Sequence, residues 1–219
     1  MLRIALLATM FLVADAYGHD TDIPEISGFP QILVKTTQGD FVIELEPSRA
    51  PITVGNFLSL VEKDYYDGTL FHRVIAGFVA QGGGHGSDYS ARPDTPTIIN
   101  ESGNGLSNTR GTIAMAREAK PHTANSQFFI NLADNVRLDP QKDRWGYTVF
   151  GRVVSGMETL DTIAELPTGP AGPFESDVPA MKVVVRDMLV LSAEEIEARL
   201  EAEMDAARKA LEALDEGAM

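Results

Sequence analysis

Short β-like runs, separated by glycine-rich or polar stretches, fill the centre of the chain and limit the folds that are open to it. The runs are rich in β-branched and aromatic residues, which is the usual composition of strands. In chain order they are residues 32–35, 41–45, 69–75, 78–81, 112–116, 128–131, 148–153 and 182–190. Eight short strands with few helices between them predict a mainly β fold with an antiparallel sheet that is closed or nearly closed.

Two helices are predicted between these strands. Pro51 suits the first turn of a helix, and the apolar residues that follow it recur at i, i+3, i+4 and i+7 on one face. These apolar residues are Val54, Phe57, Leu58 and Val61. A second, shorter helix is predicted over residues 157–165. Both helices are expected to cover the ends of the sheet.

The C-terminal segment, residues 192–219, differs from the rest of the chain. Ser192 and Glu195 have capping-box spacing, and they precede a run rich in Ala, Glu, Leu and Arg. Its apolar residues recur every three or four positions: Ile196, Leu200, Met204, Ala207, Leu211 and Leu214. The pattern predicts an acidic amphipathic α-helix. Three alternatives are open for it: a helix that is solvated or lies on its own barrel, self-association through the apolar stripe, or contact with another protein.

The N-terminus has the pattern of a secretory signal peptide over residues 1–16. Arg3 makes a short basic start, residues 4–13 are apolar, and Ala14 and Ala16 form an A-x-A cleavage site. The apolar run is far shorter than the roughly 20 residues that a membrane-spanning helix needs. Residues 17–29 are polar and without periodicity, and they predict a flexible leader. We therefore expect cleavage before Tyr17, no membrane span afterwards, and a periplasmic protein.

Charge and composition exclude several classes of function. The net charge is −14 and the chain has no cysteine. Such an acidic surface argues against binding to nucleic-acid phosphates or to anionic lipid, and the lack of cysteine excludes disulfides and thiolate nucleophiles. His19, His85 and His122 lie in polar stretches without paired spacing, so neither a metal nor another cofactor is expected. Gly82, Gly83 and Gly84 lack a following G-K-[ST] and are interpreted as structural turn glycines.

Four motifs in a fixed order carry a family resemblance. They are FHRVIAGFVAQGGG at residues 71–84, NTRGTIAMA at 108–116, NSQFFIN at 125–131 and GYTVFG at 146–151. In this order they resemble the signature of the cyclophilins, which contains F-H-R-V-I-x-G-F, Q-G-G, S-Q-F-F-I and V-F-G. The resemblance covers about residues 30–190, and its details are most similar to the periplasmic cyclophilins of Gram-negative bacteria.

This resemblance implies a cyclophilin-type peptidyl-prolyl cis/trans isomerase. The implied fold of residues 30–191 is an eight-stranded closed antiparallel barrel capped by two α-helices, with residues 192–219 as a helical extension. The implied partners are proline-containing peptides or unfolded protein segments. The implied catalytic residues are Arg73, Gln81 and Phe129, and the implied substrate-binding residues are Phe78, Val79, Ala116, Leu138 and Tyr147.

These residue types suit the chemistry. Rotating a peptide bond breaks its partial double-bond character against a barrier of about 18–20 kcal/mol, but no covalent bond is cleaved. No nucleophile, metal or proton shuttle is therefore needed. Arg73 can donate a hydrogen bond to the prolyl nitrogen of the twisted amide, and Phe129 can form the apolar pocket for the proline ring. Gln81 can hold the carbonyl side.

Two alternatives accompany this assignment, and the sequence departs from the common family pattern at several positions, of which Arg137 bears on ligand binding. A cyclophilin-like domain could instead act as a holdase that grips proline-containing chains with little turnover, or the acidic helix could carry the biological role. Arg137 stands where many members have the tryptophan that contacts cyclosporin. We therefore expect weak cyclosporin binding.

Overall fold

A computed structural model describes residues 28–217, and the side chains up to residue 213. The predicted signal peptide and all but the last two residues of the predicted leader lie outside the described residues. The main sheet consists of β1 (Gln31–Thr36), β2 (Gly39–Leu45), β3 (Thr69–Ile75), β4 (Val79–Gly86), β5 (Thr112–Met115), β6 (Phe128–Asn131), β7 (Val149–Ser155) and β10 (Val185–Val190). The helices are α1 (Pro51–Val61), α2 (Met157–Glu165) and α3 (Ala193–Gly217), and β8 (Thr168–Ala171) pairs with β9 (Phe174–Pro179).

The eight strands form one antiparallel sheet in the order β10-β1-β2-β7-β5-β6-β4-β3. The two outer strands approach each other where β3 meets the segment just before β10. Phe71 N donates to Val183 O at 3.0 Å, and Gly68 N donates to Val185 O at 2.8 Å. The sheet is therefore a nearly closed barrel, and the predicted fold class is confirmed.

The barrel interior and helix α1 share one aromatic core. The Phe57 ring lies 5.7 Å from Phe128 and 5.2 Å from Phe150, between ring centroids, and all three side chains are fully buried. The buried face of α1 differs slightly from the predicted one. Leu60 is buried, whereas Leu58 is only partly buried. The buried arc includes Thr53 on the Leu60 side of the helix, so the contact face is rotated away from Leu58.

Strand β4 continues through the glycines that were interpreted as turn residues. It runs to Gly86, and Gly83 has a φ of +81° within it. A Cβ on Gly83 would lie 2.9 Å from the Tyr66 ring and 3.0 Å from the Phe128 ring. The turn interpretation was therefore wrong. Glycine is needed here because the strand passes directly over two buried aromatic rings in a backbone conformation that disfavours a side chain.

The β8–β9 hairpin lies outside the barrel and was not predicted. Its sequence contains Pro170, Pro173 and Pro179 with two glycines, which argues against a strand. Both strands of a two-stranded ribbon are edge strands, so the backbone groups on their outer sides need no partner strand. Proline is tolerated at such positions. The hairpin packs on β3, and Asp177 adopts a left-handed φ of 66° on β9.

Helix α3 begins with the predicted capping box and is attached to the barrel by polar contacts. Ser192 N donates to Glu195 Oε2 at 2.8 Å, and Glu195 N donates to Ser192 Oγ at 3.2 Å. Arg199 donates to Gln31 Oε1 at 2.9 Å, and Ser155 donates to Glu203 at 2.7 Å. The apolar stripe is largely solvent-exposed. Among the described helices, none combines the length and the apolar character that crossing a bilayer requires.

Candidate active site

All eight predicted site residues surround one cavity of about 110 Å³ on the outer face of the barrel. The lining residues are Arg73, Phe78, Val79, Gln81, Ala116, Arg117, Phe129, Leu138 and Tyr147. We call this cavity the slot. The slot is of the size of a single small ring, since an enclosed cavity of about 150 Å³ can hold benzene.

The register of three neighbouring strands brings the proposed catalytic residues together. Arg73 on β3 pairs with Gln81 on β4, and Gln81 pairs with Phe129 on β6. Residues that are directly opposite on adjacent strands point to the same face of a sheet. The three side chains therefore form one row across the outer face. Phe128, the neighbour of Phe129, points into the barrel, and so does Phe71, which is separated from Arg73 by an irregularity in the pairing of β3 with β4.

The Arg73 guanidinium is held at the mouth of the slot. Its Nη1 donates to Gln81 Oε1 at 3.4 Å, its Nε lies 3.8 Å from Asp177 Oδ2, and its Cζ is 5.9 Å from the centroid of the Phe78 ring. Gln81 in turn donates from Nε2 to Gln127 Oε1 at 3.0 Å. Because arginine has five N–H donors in a fixed fork, these contacts orient the group and leave donors for a ligand.

The floor of the slot is a small apolar cluster separate from the main core. It consists of Val79, Ala114, Phe129 and Val149, which are all buried. Tyr147 forms one wall, with its ring edge-on to Phe129 at 5.6 Å between centroids. Leu138 forms another wall and is placed by a short 3₁₀ turn at Val136–Leu138.

Arg117 also lines the slot, and the sequence analysis missed it. Its Cζ lies 4.7 Å from the Tyr147 ring centroid, and its guanidinium donates to Gly146 O at 3.1 Å and to Trp145 O at 2.7 Å. Arg117 therefore holds the segment that carries Tyr147. Its position directly after Ala116, a predicted site residue, was the signal that could have found it.

A pair of histidines lies next to Arg73 but outside the lining of the slot. His72 is 4% exposed and lies where the pairing of β3 with β4 is irregular, between Phe71 and Arg73. Side chains do not alternate strictly at this irregularity, and both His72 and Arg73 contact residues of β9. His85 lies on β4 rather than in a polar loop, so its predicted placement was wrong, and its ring centroid is 4.6 Å from that of His72. Phe174 on β9 stacks on His72 at 5.2 Å. The extension of β4 beyond Gln81 is what brings His85 there.

Burial controls the ionisation of this pair. Desolvation, as the larger cause, and the neighbouring His85 together lower the pKa of His72 from 6.5 to about 4. Desolvation also lowers the pKa of His85. The Nδ1 atoms of both rings are buried without a hydrogen-bond partner among the described residues. The pair is therefore neutral near pH 7.

Comparison with known proteins decides the family. The family model described as cyclophilin type peptidyl-prolyl cis-trans isomerase/CLD matches residues 31–189. The chain belongs to the cyclophilin family. This cyclophilin is 44% identical over 160 residues to peptidyl-prolyl cis-trans isomerase A of Dickeya dadantii, covering 73% of this chain and 84% of that protein. It is also 44% identical over 158 residues to isomerase B of Escherichia coli, covering 71% and 96%.

Solved structures give the same family for the described fold. A crystal structure of a cyclophilin type peptidyl-prolyl cis-trans isomerase from Cryptosporidium parvum is 30% identical, with a TM-score of 0.62, covering 75% of this chain and 99% of that chain. A second crystal structure of that protein, obtained in the presence of the dipeptide ala-pro, gives a TM-score of 0.60, covering 74% and 99%. This cyclophilin therefore shares its fold with that isomerase.

Proposed function

We propose that this cyclophilin is a peptidyl-prolyl cis/trans isomerase that accelerates X-Pro rotation in exposed protein segments. One observation carries the proposal: a cross-strand row places the Arg73 guanidinium and the Gln81 amide at the mouth of an apolar slot. Family membership and the printed names of the similar bacterial proteins support it.

The mechanism follows from how amide geometry changes during rotation. When the C–N bond twists, the prolyl nitrogen loses conjugation with the carbonyl and regains a lone pair that can accept a hydrogen bond. Arg73 stands where it can donate to that nitrogen, while Phe129 and Val79 hold the ring in the slot. An enzyme accelerates a reaction by binding its transition state more tightly than its ground states, and this lone pair exists only in the twisted state.

Two-dimensional exchange NMR on an Ala-Pro peptide tests the proposal directly. Uncatalysed X-Pro isomerisation takes tens to hundreds of seconds at 25 °C, so free peptide gives no exchange cross-peaks on the millisecond timescale. Adding a small molar fraction of the protein is expected to produce them. Peptide shifts that report binding without exchange would instead favour a holdase with little turnover, and the isomerase proposal would fail.

Replacing Phe129 with leucine is expected to lower kcat/KM about tenfold. The shorter, rounder side chain leaves the slot floor incompletely filled, so the proline ring and the twisted amide are less well positioned. The matched control is Phe71→Leu, which removes a buried ring from the same sheet but on the face inside the barrel. Both variants should lose similar stability in urea unfolding. An equal loss of kcat/KM in both would contradict a specific role for Phe129.

We further propose that the protein is exported to the periplasm and assists the folding of exported chains. The basic start, the short apolar run and the A-x-A sequence of residues 1–16 support export. Expression in a Gram-negative host should yield a periplasmic protein whose intact mass begins at Tyr17. A mass that retains Met1 would contradict cleavage.

A further inference from the structure

We infer that Arg137 makes this cyclophilin prefer proline segments that carry an acidic residue on one side of the proline. The inference rests on the proposed isomerase function and names the class of substrate that the slot favours. The chemical group recognised is an aspartate or glutamate carboxylate within about two residues of the proline.

Arg137 lies on the rim of the slot. It occupies the 3₁₀ turn Val136–Leu138, directly before the slot residue Leu138, and its side chain is exposed. Its Cζ is 4.7 Å from the centroid of the Phe78 ring, which itself lines the slot. Since Arg73 lies 5.9 Å from the same centroid, Phe78 is in contact with two guanidinium groups. A ligand that passes Phe78 therefore meets a cationic edge.

Arg137 makes no direct ion pair in the described part of the chain. In the described part of the chain, ion pairs within 4.0 Å include Arg73 with Asp177 but none that involves Arg137. Arg144, a second cation, donates to the Arg137 carbonyl and so adds to the positive field of the turn. In a protein with 32 acidic and 18 basic residues, an arginine beside the binding slot is a local departure from the overall charge.

The other end of the slot has a different charge pattern. An adjoining cavity of about 270 Å³ shares Gln81, Ala116 and Arg117 with the slot, but not Phe78, and it is also lined by Asp94 and Glu118. A substrate carboxylate on that side meets two like charges as well as Arg117. The preference for an acidic residue should therefore be confined to the side of the proline that runs past Phe78.

The distances fit a residue close to the proline. An extended peptide advances about 3.3–3.6 Å per residue, so a side chain one or two residues from the ring can reach across Phe78 to Arg137. The planar guanidinium can bind a carboxylate through two parallel N–H···O bonds. Because the carboxylate lies away from the rotating bond, Arg137 would bind it equally in the ground and transition states, so the effect should appear as a lower KM with little change in kcat. Because the rim is exposed, the effect should be modest.

The test uses two sets of capped pentapeptides with a central Ala-Pro, assayed by exchange NMR at low salt. One set carries Glu, Gln or Lys two residues after the proline, and the other carries them directly before the alanine, which is two residues before the proline. We expect kcat/KM to fall about 3- to 10-fold from Glu to Lys in one set only. The difference should shrink at 0.5 M salt, since salt screens charges that lie at an exposed rim.

Three variants decide whether Arg137 causes the preference. Arg137→Gln should abolish the preference, so that the Glu, Gln and Lys peptides of that set have equal kcat/KM, and Arg137→Lys should largely retain it. Arg208→Gln, which removes a 66% exposed arginine from α3, is the matched charge control and should have no effect. Equal rates for Glu and Lys peptides, or an equal loss for all peptides in Arg137→Gln, would overturn the inference and leave the isomerase function standing. No acceleration of any peptide would overturn both.

Discussion

Replacing Arg73 with alanine is expected to lower kcat/KM for an Ala-Pro peptide by about 100-fold or more. Raising an uncatalysed rate near 0.01 per second to roughly 1,000 per second requires about 7 kcal/mol of barrier reduction. A single preorganised donor aimed at a transition-state charge is worth a factor of about 10²–10³ in other enzymes. Arg73 lies at the mouth of the slot, in the same cross-strand row as Gln81 and Phe129. Exchange NMR at several enzyme concentrations gives the ratio.

Two further variants separate the donor from its surroundings. Arg73→Lys keeps the positive charge but lacks the planar, forked set of N–H donors, and we expect kcat/KM to fall about tenfold. Asp177→Asn removes the carboxylate 3.8 Å from Arg73 while leaving the guanidinium, and asparagine tolerates the left-handed φ at this position. We expect that variant to stay within about threefold of wild type. If the kcat/KM of Arg73→Ala were within threefold of that of the wild type, Arg73 could not have the proposed role in the mechanism.

Acid is expected to destabilise the protein through His72, by about 3 kcal/mol between pH 6.5 and pH 4. The pKa of His72 is about 4 in the folded protein against an ordinary 6.5, so the unfolded chain binds a proton in this range and the folded chain does not. The free energy of unfolding therefore falls as the pH decreases from 6.5 to 4. Well above pH 6.5 this residue is neutral in both states, and its contribution to the pH dependence disappears.

Urea unfolding of wild type and His72→Phe across pH 4–8 measures this effect. Phenylalanine has a similar shape and can stack on Phe174, but it cannot take up a proton. Taking the difference in unfolding free energy between the two proteins cancels the contributions of carboxylates that both contain. This difference should grow towards pH 4. His85→Gln should weaken the pH dependence without abolishing it, because desolvation is the larger cause and His85 the smaller. Parallel curves for wild type and His72→Phe would contradict the prediction.

Local pattern and family motifs were sufficient to predict the barrel and the composition of the slot. The predicted strand runs coincide with the strands of the main sheet, and the motif residues Arg73, Gln81 and Phe129 are fixed relative to one another by strand pairing. Three features depend on contacts between segments that are far apart in sequence, and no local signal marks them. They are the passage of β4 over Tyr66, the packing of the proline-containing hairpin on β3, and the approach of His85 to His72.

The position of β10 has a consequence for incomplete chains. This strand is the last of the barrel to be synthesised, yet it pairs with β1, and the residues before it bridge to β3. A polypeptide that stops before residue 183 would therefore leave β1 and β3 as two open edges, each with a row of unpaired N–H and C=O groups. The open edges of such a product should pair with strands of other chains, and the product should aggregate. Premature termination or C-terminal proteolysis into β10 would thus produce insoluble material rather than a partly active enzyme.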